Sequence, residues 1–299
     1  MIRRNDVDGL LLFDKRTGTN YLFDEIQTDA PCLAPRHLSI ALTTLCNLDC
    51  NHCYIKHDGH ELRLTQLKDW VDVLGNNGCL SIGLGGGEPT LWPDIIELAD
   101  YICATTEMAI TLTTNGSANI DFYKNLIPKV NLIRFSMDGL NSTYEQYRKQ
   151  SFEDLIKTIA ELKSDGGNIG INYLLTDRTV SQLDDFVQLA NYIQPKEVLL
   201  IPLLSRNGKR ILAEQSESII RDWVERNQNN IPLSFSYSSI DFIGDFALPT
   251  QDFNPRTQTH YFLHINAQAE IMRSVFDVNP IKIGASLVDA LKTIKGESL

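Results

Sequence analysis

Cys46, Cys50 and Cys53 stand in the segment LTTLCNLDCNHCYIK, spaced C-x3-C-x2-C. Thiolates this close in sequence can share a metal, and three of them are one short of a closed four-coordinate site. On a four-iron cubane, three thiolates leave one iron with an open position, and an open position is where a substrate or cofactor meets a catalytic metal. A zinc reading stays open at this point. His52, His57 or His60 can complete a Cys3His set, although zinc sites more often arrive as paired C-x2-C units. Disulfides are a poorer account. Cys32, Cys79 and Cys103 are scattered singly, and the opening MIRRNDVDG is charged and lacks the apolar core of a signal peptide. A cytoplasmic, reducing setting is therefore expected, in which cysteines bind metal or do chemistry more often than they cross-link. Cys79 and Cys103 lie in apolar runs and read as small core residues.

Polar groups follow at intervals. Gly86–Gly87–Glu88–Pro89 comes directly after an apolar run. Its glycines permit unusual backbone angles and the close approach of a ligand. Such a turn can cradle phosphate, but the phosphate-binding pattern ends in Lys-Ser/Thr, and Glu88 repels phosphate. Polar acceptors beside a cation make better sense of it. Thr114 with Asn115, and Ser136 with Asp138, end the next two apolar runs.

The elements that must position these groups alternate. Strands are expected at 37–42, 80–84, 108–114, 130–138, 167–175 and 197–204. Helices are expected between them at 64–74, 93–103, 119–126, 152–162 and 181–193. Six strands separated by helices imply parallel pairing through right-handed crossovers, and runs such as VLLIPLL suit strands buried on both faces. The pattern alone allows a doubly wound sheet or a barrel. Before it, residues 9–13 and 20–23 flank a turn-rich 15–18 and read as a β-hairpin, with a proline-bearing linker at 29–35. After 210 the rhythm breaks, with a helix at 219–227, a strand at 231–237, a hairpin at 260–277 turning at 266–269, and a closing helix at 286–294. The 299 residues suffice for one large α/β domain with small additions, divided as 1–35, 36–210 and 211–299. No run approaches the roughly 18 apolar residues of a membrane span. The net charge of −11 argues against nucleic acid as a partner, since the Lys and Arg residues gather only in the short groups Arg3–Arg4 and Arg206–Lys209–Arg210.

C-x3-C-x2-C with His52 before the last Cys, then GGGEPT (85–90), TLTTNG (111–116) and FSMDG (135–139), resembles the radical S-adenosylmethionine (SAM) superfamily in order and spacing across about residues 38–205. The resemblance implies a partial (β/α)6 TIM-type barrel, with an N-terminal β-hairpin and a small C-terminal α/β extension, and chemistry at the C-terminal ends of its strands. It implies that Cys46, Cys50 and Cys53 ligate one [4Fe-4S] cluster whose fourth iron chelates the methionine moiety of SAM. His52 then packs beside the adenine or the cluster, and the Gly86, Gly87 and Glu88 stretch hydrogen-bonds the methionine ammonium. Thr114, Asn115 and Asp138 line the strand ends, Ser136 meets the ribose or carboxylate, and Arg148 meets the carboxylate, although RKQSFEDL lacks the glycine relatives place after this Arg. Asn172 lies near the mouth, and Ile201 and Leu203 flank the adenine. The implied partners are a one-electron donor such as a flavodoxin or ferredoxin and a substrate that loses a hydrogen atom.

The two ends of the chain resemble peptide-maturing members. The opening resembles modules that hold a leader peptide by β-augmentation. The tail resembles the SPASM or twitch extension, but Arg256 and Ser274 stand where its cysteines would be, and no cysteine follows Cys103. The expected extension is therefore degenerate and cluster-free. His260 and His264 are candidate ligands there, against a packed or hydrogen-bonded role. A peptide substrate leads. The alternatives are a radical SAM enzyme acting on a small molecule, and a non-catalytic scaffold barrel. No catalytic acid, base or hydrogen donor is identified. Cys32, Cys79 and Cys103 qualify only if they face the cavity, and Tyr173 and Asp241 are weaker candidates.

Overall fold

Seven parallel strand pairings in unbroken succession run through the centre of the molecule. The computed structural model describes residues 1–28, 30–205, 207–236, 239–243, 253–254 and 259–296. Asp29, Arg206, Tyr237 and Arg256, and the side chain of Asp241, lie outside those residues. The chain opens with β1 (Ile2–Asp6), β2 (Gly9–Asp14) and β3 (Thr19–Phe23). The repeating region follows as β4 (His37–Thr43), α1 (Leu64–Asn76), β5 (Ser81–Gly86), α2 (Ile95–Thr105), β6 (Ala109–Thr114), α3 (Ile120–Leu126) and β7 (Leu132–Met137), then α4 (Asn141–Arg148), α5 (Phe152–Ser164), β8 (Ile169–Leu175), α6 (Asp177–Val180), α7 (Leu183–Ile193) and β9 (Glu197–Pro202). The last part contains α8 (Glu214–Asn227), β10 (Leu233–Phe235), α9 (Ile240–Ile243), β11 (Phe253–Asn254), β12 (Thr259–His260), β13 (Phe262–Ile265), β14 (Glu270–Met272), β15 (Ile281–Lys282) and α10 (Leu287–Lys295).

Strands β4 to β9 are the six expected, and they form the α/β partial (β/α)6 barrel wall. The sheet continues past both ends of this wall, in the order β10-β9-β8-β7-β6-β5-β4-β13-β14-β15. Strand β13 lies parallel to β4, with His264 opposite Ser39, and then turns back antiparallel as β14 and β15.

Strand alternation sorts the side chains. Leu38, Ile40 and Leu42 of β4, Ile82 and Leu84 of β5, and Ile133 and Phe135 of β7 face the helices and join one core with Leu67, Leu98, Leu155 and Phe186. The inner face carries Ser39, Gly83, Thr111, Arg134, Ser136, Asn172 and Glu197. Helix starts are set by local polar caps. Asn119 accepts from the Phe122 N–H, Ser151 from Asp154 and Ser286 from Asp289.

The sequence reading expects a two-stranded hairpin at the N-terminus, and the structure has three strands. The missed strand, β1, reads IRRND, and its charges hide it. Arg4, Asp6 and Arg36 are nonetheless buried. Asp6 holds Arg4 Nε and Arg36 Nε, each at 2.8 Å, and Asp8 takes Arg36 Nη2 at 2.9 Å. Arg36 lies over the Tyr261 ring at 3.6 Å, and Arg4 Nη2 donates to the Ala34 carbonyl at 2.7 Å. Nearby Leu11 and Phe13 pack on Leu80 and Ala109, just before β5 and at the first residue of β6. The three-stranded sheet is thus bolted beneath the N-terminal ends of the barrel strands. Removing the shared carboxylate with Asp6→Ala leaves two buried guanidinium groups short of a partner. It is expected to cost about 3–5 kcal/mol in a denaturant unfolding experiment, and an unchanged midpoint would refute the bolting role.

Candidate active site

The segment 44–61 leaves the C-terminal end of β4 and returns to it. Thr44 N donates to His60 O at 2.8 Å, Leu62 N to Leu42 O at 2.9 Å, and Thr43 pairs with Glu61. Inside the neck, Asp58 accepts from His60 Nδ1 at 2.7 Å and Thr44 Oγ1 at 3.0 Å, and these bonds, His60 first, hold its carboxyl below the usual range. The loop so closed carries all three cysteines, each half-buried. Cys53 N donates to Cys50 O at 2.9 Å, and Leu48 N to Cys46 Sγ at 3.4 Å. Burial pushes the Cys46 thiol up and Cys50 up to about 11. Among the described residues no three His, Cys, Asp or Glu side chains converge on the volume of a single ion. Cys53 Sγ approaches His57 Nε2 only to 3.8 Å. A single zinc ion thus lacks an assembled ligand set.

The loop rests on the glycine turn that ends β5. Gly86, at φ +137°, is in a region that excludes most side chains, and a Cβ there would lie 2.4 Å from Thr43 O. A Cβ on Gly87 would lie 2.2 Å from Leu45 O. Bare backbones therefore meet, with Gly87 N donating to Thr43 O and Glu88 N to Leu45 O, both at 2.8 Å. Glu88 is buried and accepts four bonds, from Thr90 N (3.1 Å), Thr90 Oγ1 (2.7 Å), Thr114 Oγ1 (2.7 Å) and Asn115 N (2.7 Å). These fill the acceptor capacity of a carboxylate. Asn115 in turn reaches Asn47 Oδ1 at 3.0 Å and Cys46 Sγ at 3.9 Å.

A second buried carboxylate, Asp138, follows β7. It binds His52 Nε2 at 3.0 Å and Arg148 through Nε and, at 3.2 Å, Nη2. Burial pushes Asp138 upward, but Arg148 and His52 outweigh it and hold the carboxyl below its ordinary value. His52, between Cys50 and Cys53, also meets Tyr147 edge-on at 5.6 Å. Helix α4, which the sequence pattern leaves unassigned, supplies both Tyr147 and Arg148. Two atoms here are buried without a hydrogen-bond partner, His52 Nδ1 and Asn172 Oδ1. Buried polar atoms are normally satisfied, so each of these bare atoms suits a polar ligand.

The contacts thus join Cys46, His52, Glu88, Thr114, Asn115, Asp138 and Arg148 around the loop, with Gly86 and Gly87 beneath it. Ser136 and Asn172 are opposite each other on β7 and β8. Ile201 and Leu203 are half-buried at the end of β9. These four make no bond to the loop. The candidate hydrogen donors whose side chains are described lie away from the loop. Cys79 and Tyr173 are buried on the helix side of the sheet, with Tyr173 4.3 Å from Phe186. Cys103 is exposed on α2, and Cys32 sits by Gly78 at the barrel base. Asn47, Tyr147 and Tyr123, whose hydroxyl is 2.9 Å from Thr114 Oγ1, join the site without any motif to mark them.

Deeper on the inner face, His264 Nδ1 pairs with Ser39 Oγ at 2.6 Å, so this hairpin histidine is hydrogen-bonded. Burial lowers its pKa to about 4. The unfolded chain protonates this ring near pH 6.5, and the folded chain does so only near 4. The associated stability is complete above about pH 6.5 and drains as the pH falls toward 4. Between about pH 7 and pH 5 the wild type is expected to lose about 2 kcal/mol more than His264→Phe. Urea midpoints at the two pH values check this.

A profile of the radical SAM superfamily matches residues 40–190. Mycofactocin maturase MftC of Mycobacterium tuberculosis (strain CDC 1551 / Oshkosh) is 32% identical over 166 residues, 53% of this chain and 42% of that protein. The antilisterial bacteriocin subtilosin biosynthesis protein AlbA of Bacillus subtilis (strain 168) is 29% identical over 164 residues, 52% of this chain and 36% of that one. The matched region is thus about half of this chain and less than half of either relative. The crystal structure of Streptococcus suis SuiB bound to precursor peptide SuiA superposes with a TM-score of 0.76 at 14% identity, covering 97% of this chain and 86% of that one, a likeness of fold.

Proposed function

The chain belongs to the radical SAM superfamily, and from that premise we propose that it is a peptide-modifying member that binds its cofactors in the mouth formed by β4–β9. The family's cofactors are a [4Fe-4S] cluster and SAM, and its members are enzymes. When bound and reduced by one electron, they supply a 5′-deoxyadenosyl radical that removes a hydrogen atom from substrate. In this reading Cys46, Cys50 and Cys53 ligate the cluster, and the backbone of Gly86 and Gly87 lines the approach to it. His52 Nδ1 and Asn172 Oδ1 are the unfilled polar contacts for SAM. Ser136, Ile201 and Leu203 complete its wall. Glu88 and Asp138 position rather than touch: Glu88 fixes Thr114 and Asn115, and Asp138 fixes His52 and Arg148. Residues 36–210 are the catalytic barrel, 1–35 the basal module and 211–299 an extension without cluster thiolates.

The single observation carrying the cofactor reading is the cysteine loop seated on the Gly86–Gly87 backbone, with the loop's own His52 Nδ1 buried and orphaned. The peptide reading is supported by two findings of another kind. MftC and AlbA are named for maturation and bacteriocin biosynthesis, and SuiB was crystallised with a precursor peptide. In this chain β3 is the edge of its sheet, every residue of it is exposed, and Tyr21, Leu22 and Phe23 are among them. An open edge of this sort accepts an added peptide strand.

Anaerobic reconstitution is expected to give about four irons per chain, and dithionite with SAM to release 5′-deoxyadenosine. Cys46→Ala, Cys50→Ala or Cys53→Ala reduces that release to background. A fully formed cluster that releases none sinks the catalytic reading and leaves a scaffold. Mass spectrometry of a precursor peptide co-expressed with the enzyme without oxygen is expected to show a mass shift or a changed fragmentation pattern absent from the cysteine variants.

A further inference from the structure

One side chain from the C-terminal extension reaches the cysteine loop. Phe276 lies between β14 and β15, and its ring centroid is 5.4 Å from that of Tyr54, tilted by 53°. Tyr54 directly follows Cys53. Phe276 Cβ and Cγ also come within 3.4 and 3.8 Å of a Cβ placed on Gly208, in the loop after β9. Three segments far apart in sequence therefore meet on this ring.

The turn that presents the ring is closed by a carboxylate. Asp277 Oδ2 accepts from Arg273 N and Oδ1 from Asn279 N, both at 3.0 Å, while Asp277 N donates to Ser274 O at 3.1 Å. Ser274 Oγ accepts from Phe276 N at 3.3 Å. Arg273 Nη2 donates to Ile294 O at 2.8 Å, tying the turn to α10. These bonds close the turn, and residues 104–299 contain no cysteine. Cys53 Sγ meets only the long His57 contact among the hydrogen bonds of the loop, and the Tyr54–Phe276 ring pair starts at the next residue, with Tyr54 still 50% exposed.

We propose that the turn from Arg273 to Asn279 is a shield for the metal site, in which Phe276, held by Asp277 and seated on Tyr54, limits the access of water-borne oxidants and chelators to the Cys53 corner. This rests on the reading that Cys53 is a cluster ligand. The apolar shell around a metal centre controls solvent access to it, and here the shell comes from a part of the chain that contributes no ligand.

The test uses reconstituted full-length protein and two probes, dioxygen in air-saturated buffer and EDTA under anaerobic conditions, with loss of the visible iron–sulfur absorbance as the readout. Phe276→Ala is expected to bleach about tenfold faster than wild type with either probe. Phe276→Leu keeps an apolar cover and stays near wild type. Asp277→Asn, which keeps the ring but weakens its turn, falls between. Urea midpoints of the cluster-free proteins report whether each variant folds. Equal bleaching of wild type and a folded Phe276→Ala overturns the shield while leaving the cluster assignment standing. A wild type that takes up no cluster overturns the Cys53 reading itself.

Discussion

Glu88 is a buried carboxylate whose partners among the described residues are hydroxyls and backbone amides, and the mouth of the barrel is arranged around satisfying it. Four donors converge on its carboxylate: two from Thr90, one from the end of β6 and one from Asn115. A carboxylate buried out of water demands such a set, because a buried acceptor left short costs its full desolvation. Satisfying it fixes β5 against β6 and aims Asn115 at the cysteine loop. The adjoining Gly86 and Gly87 let that loop come within backbone contact. Loop, turn and strand end therefore stand or fall together.

The sheet separates two environments. Its helix side is a continuous apolar core. Its inner side is polar and thinly furnished. Arg134 and Glu197 pair there at 2.7 Å, with Ser234 adding a bond at 3.0 Å. The pair lies across Gly170, where a Cβ would sit 2.9 Å from Arg134 Cγ. Ser39 and His264 occupy the other side. Small residues and paired polar groups on this face set it apart from the apolar core behind it.

Much of this was readable from residue order. The six alternating strands, the cysteine spacing and the glycine turn each have a local signature, and the strands fall where their apolar runs predict. Long-range relations were not readable. Strand β1 is hidden because its charges are paired with Arg36, thirty residues from Asp6. Strand β13 was expected in a hairpin, but nothing local shows that it also lies beside β4, 225 residues from His264 to Ser39. That Glu88 also ties Thr90, Thr114 and Asn115 together is a relation between segments that its motif does not record. Residues such as Asn47 and Phe276 matter through what folds against them, and no spacing rule records that.

The basal sheet and the cysteine loop occupy opposite ends of β4, seven residues long and so about 23 Å at ~3.3 Å per residue. A chain laid along the β3 edge would need at least about seven fully extended residues to arrive at the other end, and more if it travelled around the helices. The scaffold is in that sense a ruler. On the proposed peptide reading it would separate a grip at β3 from the mouth, so a tether of sufficient length would profit from the grip, and a short free fragment would have to reach the mouth unaided.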